Sequence, residues 1–456
     1  MRRLLLILFT ATVAFADTKQ PVFQGGLEAV PLTPEVGLPS ATTTLSPREE
    51  RPTFRQGDAG GKWLGGGDII FGERNHRPSK PDRGLKKSGG PAMFSFSLMS
   101  AGDPGVIAAG AYHVVALKTD GTVWAWGGNS DQQLGGVFGA SRAKPVQVVI
   151  PGTATPTTIS AGGFHTLVLL DNGTVSAFGR NSEGQLGNGG VGNGPVAVSA
   201  LTNVSAVAAG GYHSLALKAD GTVWAWGIST NGQLGTGTFQ ETTPVQVAGL
   251  TDIIAIGAGS FASYAVKSDG TVWAWGANGS GELGDGTGVD QATPVAVAGL
   301  VDAIAVAGGW NHAAALKSDG TVWCWGSNWS GQLGDWYFGG SATPVQAYGI
   351  TGAVGIAAGS DHTVAKRSDG SMWAWGGNFN GQLGTGEAWV STLNFDPLPS
   401  LLDSGVVQVA AGGYTTFALK DDGTISGFGY VEYGQMGDGL YQGKPFPVQA
   451  FGLKGG

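Results

Sequence analysis

Residues 204–250 read VSAVAAGGYHSLALKADGTVWAWGISTNGQLGTGTFQETTPVQVAGL. The small apolar run Val204 to Ala209 leads through a Gly-aromatic turn into His213 to Lys218, whose alternation suits a half-buried strand. Asp220-Gly221 between two alternating segments is a strong hairpin signal and points to a type I′ turn. In the next strand, Thr222 to Gly227, a period of two puts Trp224 and Trp226 on one face and Ala225 on the other. One face is therefore heavy and the other thin. A loop containing Gly232-Gln233-Leu234-Gly235 follows, and Pro244 to Val247 supplies a fourth short strand with the proline at its start.

The pattern recurs from Val106 to the C-terminus. Alignment on the glycine that closes each A-A-G or A-G-G run matches Gly110, Gly162, Gly210, Gly259, Gly308, Gly359 and Gly412, which are 48 to 53 residues apart. Asp120-Gly121, Asn172-Gly173, Asp269-Gly270, Asp319-Gly320, Asp369-Gly370 and Asp422-Gly423 repeat the turn. Four short antiparallel strands in seven copies predict an all-β, seven-bladed β-propeller with units starting near residues 106, 158, 206, 255, 304, 355 and 408. The last copy of the fourth strand, PVQAFG at Pro447 to Gly452, leaves two modes of closure open. It either pairs with the first unit and closes the ring within one blade, or it completes a blade made of its own unit.

The consensus A-A-G-x-x-H-x-x-A-L-K-x-D-G-T-V-W-A-W-G, followed by G-Q-L-G and P-V-Q-V, resembles the regulator of chromosome condensation repeat, here of an exported, bacterial type. The resemblance covers about Val106 to Leu453 and implies a seven-bladed propeller, in agreement with the count of units. It also implies guanine nucleotide exchange on a small GTPase as one activity to weigh. An export signal argues against that activity, and the even unit lengths leave no room for an inserted wedge.

Three segments are expected. Residues 1–16, MRRLLLILFTATVAFA, read as a signal peptide: two arginines, a short apolar core and Ala14-Phe15-Ala16 as the cleavage site. Its apolar run is too short to span a bilayer, so a secreted, periplasmic or cell-surface protein without a membrane span is expected after cleavage. Residues 17–92 are rich in Pro, Gly and charge, with almost no periodic apolar pattern, and read as a disordered arm or linker. Residues 93–456 form the propeller, with Met93 to Ser100 as a strand or cap beside the first unit.

Charge follows the same division. Residues 17–92 hold 11 basic and 9 acidic residues, whereas the repeats hold 12 basic and 24 acidic. A ring of net charge −12 repels phosphate backbones, so nucleic acid is not an expected partner. The single cysteine, Cys324, lies between Trp323 and Trp325 where most units have alanine, and reads as a packing residue. With one cysteine there is no intramolecular disulfide, and stability must come from the core.

Catalytic motifs are weak. Five of the six histidines, His113, His165, His213, His312 and His362, share one repeat position, with Ala262 and Thr415 in the other two units. Equivalent positions lie in different blades, so these side chains read as strand-start histidines bonded to backbone. Gly187 to Gly192 matches G-x-G-x-x-G but opens no helix. Gly284 to Gly288 lacks the spaced carboxylates of a calcium loop. No metal or cofactor is expected.

The units depart from their consensus chiefly in aromatic residues. Antiparallel connectivity puts the Gly-aromatic turns and the loops after the Trp strand on one side of the ring, and the Asp-Gly turns and crossovers on the other. On the first side, units five and six carry Trp329, Trp336, Tyr337, Phe338, Phe379 and Trp389. Aromatic side chains grouped on a rigid rim suit a binding site. Trp310 is set aside, its position being taken as aromatic in six units. The expected function is a non-catalytic, monomeric, exported propeller that binds a protein partner through this loop face. A glycan-binding or glycan-cleaving propeller is the alternative, the latter needing a carboxylate pair assembled from different blades.

Overall fold

The computed structural model describes residues 105–136, 139–190, 192–386, 394–402, 404–441 and 444–450. The proposed signal peptide, the arm at 17–92, the strand at 93–100 and Trp389 lie outside them.

The described residues form seven four-stranded antiparallel sheets, each in consecutive strand order, which are the blades of a propeller. The first blade runs Val106–Ala109, His113–Leu117, Val123–Gly127 and Arg142–Val148. The last runs Val406–Gly412, Thr415–Lys420, Ile425–Gly429 and Lys444–Gln449, and its fourth strand pairs with its own third. Blades are thus whole sequence units, and the option that the C-terminal strand completes the first blade is corrected. The physical reason lies in the first unit, whose own segment Arg142–Val148 fills the outer slot beside Val123–Gly127. Closure uses contacts between blades instead: the Ile107 amide donates to Gln408 Oε1, Gln408 Nε2 donates back to the Ile107 carbonyl, and Trp126 Nε1 donates to the Gln435 carbonyl.

The alternation of heavy and thin strand faces builds the core. Trp226 packs against Leu167 and Leu186 of the preceding blade, whereas Ala225 on its other face lies under Trp275 of the following one. Every junction repeats this arrangement, giving seven buried apolar clusters, one between each pair of neighbours. Trp226 is fully buried, and its indole N–H donates to the Gln185 carbonyl of the preceding blade at 2.8 Å. Cys324 takes the thin position facing Trp375, and burial pushes its thiol well above the usual range.

Two local expectations are corrected. The Asp-Gly hairpins are not type I′. Gly221 has φ +78°, but Asp220 is not among the residues with positive φ. The Gly221 amide donates to the Lys218 carbonyl and the Lys218 amide to the Thr222 carbonyl, as in a type I turn closed by a left-handed glycine. Asp220 Oδ1 accepts from both the amide and the hydroxyl of Thr222, an Asx arrangement that holds the aspartate in this turn.

The histidines bond to side chains of the next blade, not to backbone. His213 Nε2 lies 2.9 Å from Ser263 Oγ, and that hydroxyl donates to the Gln233 carbonyl, so the imidazole carries its proton on Nε2. His113, His165, His312 and His362 pair likewise with Thr166, Ser214, Thr363 and Thr416. The two exceptions match on both sides of the junction. Ala262 meets Ala313, and Thr415 meets Val114, so where the histidine is missing the next blade has no hydroxyl in its place.

The register also moves the fifth unit by one residue. Gly308 pairs with Ala313 as Ala258 pairs with Ser263, so Gly309 is the glycine equivalent to Gly259. Asn311 then occupies the aromatic position held by Tyr112, Phe164, Tyr212, Phe261 and Tyr414, and Asp361 occupies it in the sixth unit. That position is aromatic in five units, and Trp310 stands one residue before it.

Candidate partner-binding surface

Five rings at this corrected position lie around the mouth of the axial channel, on the side of the Gly-aromatic turns. Tyr112, Phe164, Tyr212 and Phe261 follow one another with ring centroids 5.4 to 5.9 Å apart. The chain of rings continues from Tyr112 through Tyr433 and Tyr430 to Tyr414. Arg180 lies over Phe164 and Tyr212 while its guanidinium pairs with Glu183 at 2.7 Å, and this pairing holds the Glu183 carboxyl down at about 2. The belt stops at Asn311 and Asp361. Burial pushes the Asp361 carboxyl up, and Gln382 Nε2 donates to it at 3.2 Å.

Blades five and six, where the inner belt ends, carry a group of exposed loop aromatics. Trp329, Trp336, Tyr337, Phe338 and Phe379 range from 50 % exposed at Phe379 to 72 % at Tyr337. The loop that presents the first four joins the strands Val322–Gly326 and Ser341–Gln346. Its backbone is pinned from within. Asn328 Oδ1 accepts from the Leu333 amide, its Nδ2 donates to Asp335 Oδ1 and to the Tyr337 carbonyl, and Gln332 Oε1 accepts from the Ser330 amide. Leu333 is buried between the blades and anchors the loop from below.

Contacts divide the predicted residues. Trp329 meets Phe338 edge-on at 5.8 Å, and Phe338 meets Phe395 of the sixth blade at 5.7 Å. Trp336 packs edge-on against Tyr348 at 5.6 Å, and its amide donates to the Phe395 carbonyl. These rings therefore line the seam between blades five and six. Phe379 stands one blade on, at the loop position equivalent to Trp329. Sequence reasoning missed Phe395 and Tyr348, which sit at the start and just beyond the end of outer strands where a lone aromatic carries no pattern.

Trp336 has the most unusual backbone of the set. Its φ is +70°, in the left-handed region. The equivalent residue is glycine in five other blades, Gly189, Gly237, Gly286, Gly386 and Gly439, each with φ between +68° and +86°. A residue with a Cβ costs about 1 to 2 kcal/mol there. The loop holds the largest side chain in that conformation and leaves it 59 % exposed. Strain of this kind is concentrated at ligand clamps and other functional positions.

Among the described residues, no three His, Cys, Asp or Glu side chains gather as a metal-holding group. The five repeat histidines are fully buried at separate junctions, and burial holds their imidazoles down at about 3 to 4.

Comparison with known proteins agrees with this architecture. The RCC1-like domain model matches residues 194–455, and the regulator of chromosome condensation (RCC1) repeat model matches residues 107–133 and 157–185. Among curated relatives, the mitochondrial RCC1 domain-containing protein RUG3 of Arabidopsis thaliana is 30 % identical over 125 residues, 27 % of this chain and 28 % of RUG3. The ultraviolet-B receptor UVR8 of the same plant is 37 % identical over 83 residues, 18 % of this chain and 19 % of UVR8. These matches span less than a third of either relative. Of solved structures, human WBSCR16 aligns with TM-score 0.62 and 27 % identity over 69 % of this chain and 86 % of that one. Prp20p of Saccharomyces cerevisiae aligns with TM-score 0.65 and 23 % identity over 72 % and 85 %, a likeness of fold.

Proposed function

The chain belongs to the RCC1-like family, and from that premise we propose that it is a non-catalytic, monomeric propeller, exported by its N-terminal segment, that binds a protein partner at the seam of blades five and six. The observation that carries the reading is Trp336. A folded ring with no use for that side chain is more stable with glycine at the position, as five other blades have it. An exposed tryptophan with its backbone already fixed loses little conformational freedom on binding, which suits an interface anchor. Trp329, Phe338 and Phe395 form a second group of rings at the same seam, and Phe379 lies on the neighbouring blade. The net acidity of the repeats favours a basic partner surface by long-range attraction.

The yeast propeller Prp20p is described with binding properties to Gsp1p and histones and is seen bound to Kap60, so this fold serves for protein binding there.

The test is affinity capture with the full chain as bait, run on envelope and culture-medium fractions beside a Trp329→Ala, Phe379→Ala double variant and a Trp336→Gly variant. One protein retained by the parent and lost with both variants, each with an unchanged far-ultraviolet spectrum, is the expected result. Retention of the same protein by all three baits overturns the assignment of the seam. If soluble glycans bind the parent and not the variants while no protein is retained, the ligand is a glycan and the protein reading fails.

A further inference from the structure

A second site lies on the axis. The innermost strands enclose a channel of about 800 Å³ lined chiefly by Gly, Ala, Val and Ile, with aromatic rings such as Tyr112, Tyr212 and Trp310 and the hydroxyls of Ser160, Ser260 and Ser360 also in its wall. Cavities of some 300 to 1,000 Å³ with apolar walls and a few polar groups are typical of small-molecule sites. This channel contains one charged side chain among the described residues that line it, Lys366.

Lys366 breaks the repeat. The equivalent residue in the other six blades is Leu117, Leu169, Leu217, Val266, Leu316 or Leu419, each paired across the blade with the innermost strand. In the sixth blade the residue opposite is Gly355, where the other blades have Val106, Thr158, Ala206, Ala255, Ala305 and Gln408. A Cβ at Gly355 comes to 3.7 Å from the Lys366 Cβ. With no side chain at Gly355 the innermost strand is thinnest beside Lys366, which lines the channel as the equivalent Leu316 does in the fifth blade. The two departures thus occur together. Aspartate and glutamate are absent from the described lining, and Gln408 already spends its amide on the Ile107 backbone. An ammonium held beside apolar walls without a counter-charge is costly to the fold alone, and burial lowers the Lys366 amine accordingly.

We propose that the axial channel binds an amphiphilic monocarboxylate, with its head on the Lys366 amino group and its apolar body along the small side chains of the innermost strands. A single ammonium suits a monoanion. Phosphate groups are bound by several N–H donors or cations together, and the described lining offers one cation. The described lining holds no second charged side chain and is mainly apolar, which suits an uncharged, largely apolar body. This site is independent of the aromatic seam.

The experiment is isothermal titration of the full chain with decanoate, with 1-decanol as the uncharged probe, repeated on Lys366→Leu, Lys366→Arg and the Trp329→Ala, Phe379→Ala double variant. Saturable 1:1 binding of decanoate is expected, weakened at least tenfold by Lys366→Leu, retained within about threefold by Lys366→Arg and unchanged by the double variant. Decanol is expected to bind at least tenfold more weakly than decanoate. Lys366→Leu copies the other blades and removes an unpaired cation, so its melting temperature is expected to rise, which separates lost binding from lost folding. Equal decanoate affinity in Lys366→Leu, equal affinity for decanol, loss of binding in the seam variant, or no binding to the folded parent each overturn the proposal.

Discussion

Acid is expected to open this ring earlier than it opens most globular domains, and the five junction histidines are the reason. All five are fully buried, and burial holds His113, His165 and His362 at about 3 and His213 and His312 at about 4. In the unfolded chain a histidine titrates near 6.5. The folded value is the lower one, so below pH 6.5 the unfolded chain takes up protons that the folded chain refuses. Stability present at neutral pH is therefore lost as pH falls from about 6.5 towards 4. At pH 5 the difference is about 2 kcal/mol for each histidine and roughly 9 kcal/mol for five, comparable with the whole stability of a typical domain. Glu282 and Asp361 act in the opposite direction, because burial raises their carboxyls and the folded chain then binds the extra proton. With Asp396, whose carboxyl burial also raises, these groups offset part of the loss. Glu183, held at about 2 by Arg180, gives up its stabilisation as pH falls from the range where a free glutamate protonates down to about 2, below the pH 7 to 5 range of the assay. The assay is the urea midpoint at pH 7, 6 and 5 in constant ionic strength. A steep fall is expected between pH 6 and 5. A His213→Ala, Ser263→Ala variant, which copies the natural Ala262 and Ala313 pair, should lose about a fifth of that slope. A midpoint that stays level from pH 7 to 5 refutes the reasoning.

Other substitutions probe other links. Trp226→Ala should cost about 3 to 5 kcal/mol, because it removes a fully buried ring and leaves the Gln185 carbonyl with one donor, that of Ser214; an unchanged melting curve contradicts the burial. Trp336→Gly should stabilise by roughly 0.5 to 1 kcal/mol, the relief of the left-handed strain less the added freedom of the unfolded chain, as read from urea unfolding. Lower stability of that variant would show that the ring's packing on Tyr348 outweighs its backbone strain. A double-mutant cycle on His312 and Thr363, measured at pH 8, should give a coupling of about 1 kcal/mol for the hydrogen bond across the junction; additive single effects contradict it. Removal of residues 445–456 should cost about 2 to 4 kcal/mol through the loss of Val448 and Ala450 from the cluster around Trp126, and circular dichroism should retain the signal of the other blades.

The chain carries most of its fold in the open because the same problem is solved seven times. Each unit must bury one tryptophan or phenylalanine face against the thin face of its neighbour, and that need repeats in the sequence as V-W-A-W-G. Repetition made the blade count, the strand order and the loop side legible, and the exposed loop aromatics of blades five and six stood out against it. Three-dimensional pairing decided what the repetition hid. Gly308 and Gly309 look alike as letters, and only the register with Ala313 shows that the fifth unit is offset and that Trp310 is outside the belt of rings. The turn type depended on the Asp220 side chain reaching Thr222, a contact the dipeptide signal does not encode. The histidine partners lie about 50 residues away in the next unit, so the matched losses at Ala262 and Ala313 had no meaning until neighbouring blades were seen in contact. Sequence alone determined the repeat and its exposed loop aromatics, but Lys366 passed unnoticed among the units until strand pairing aligned it with the leucines and valine of the other blades. Only the tertiary structure decided that the lysine lines the axial channel, because that depends on the second strand lying behind an innermost strand of small residues such as Gly355, a contact between strands that the local sequence does not encode.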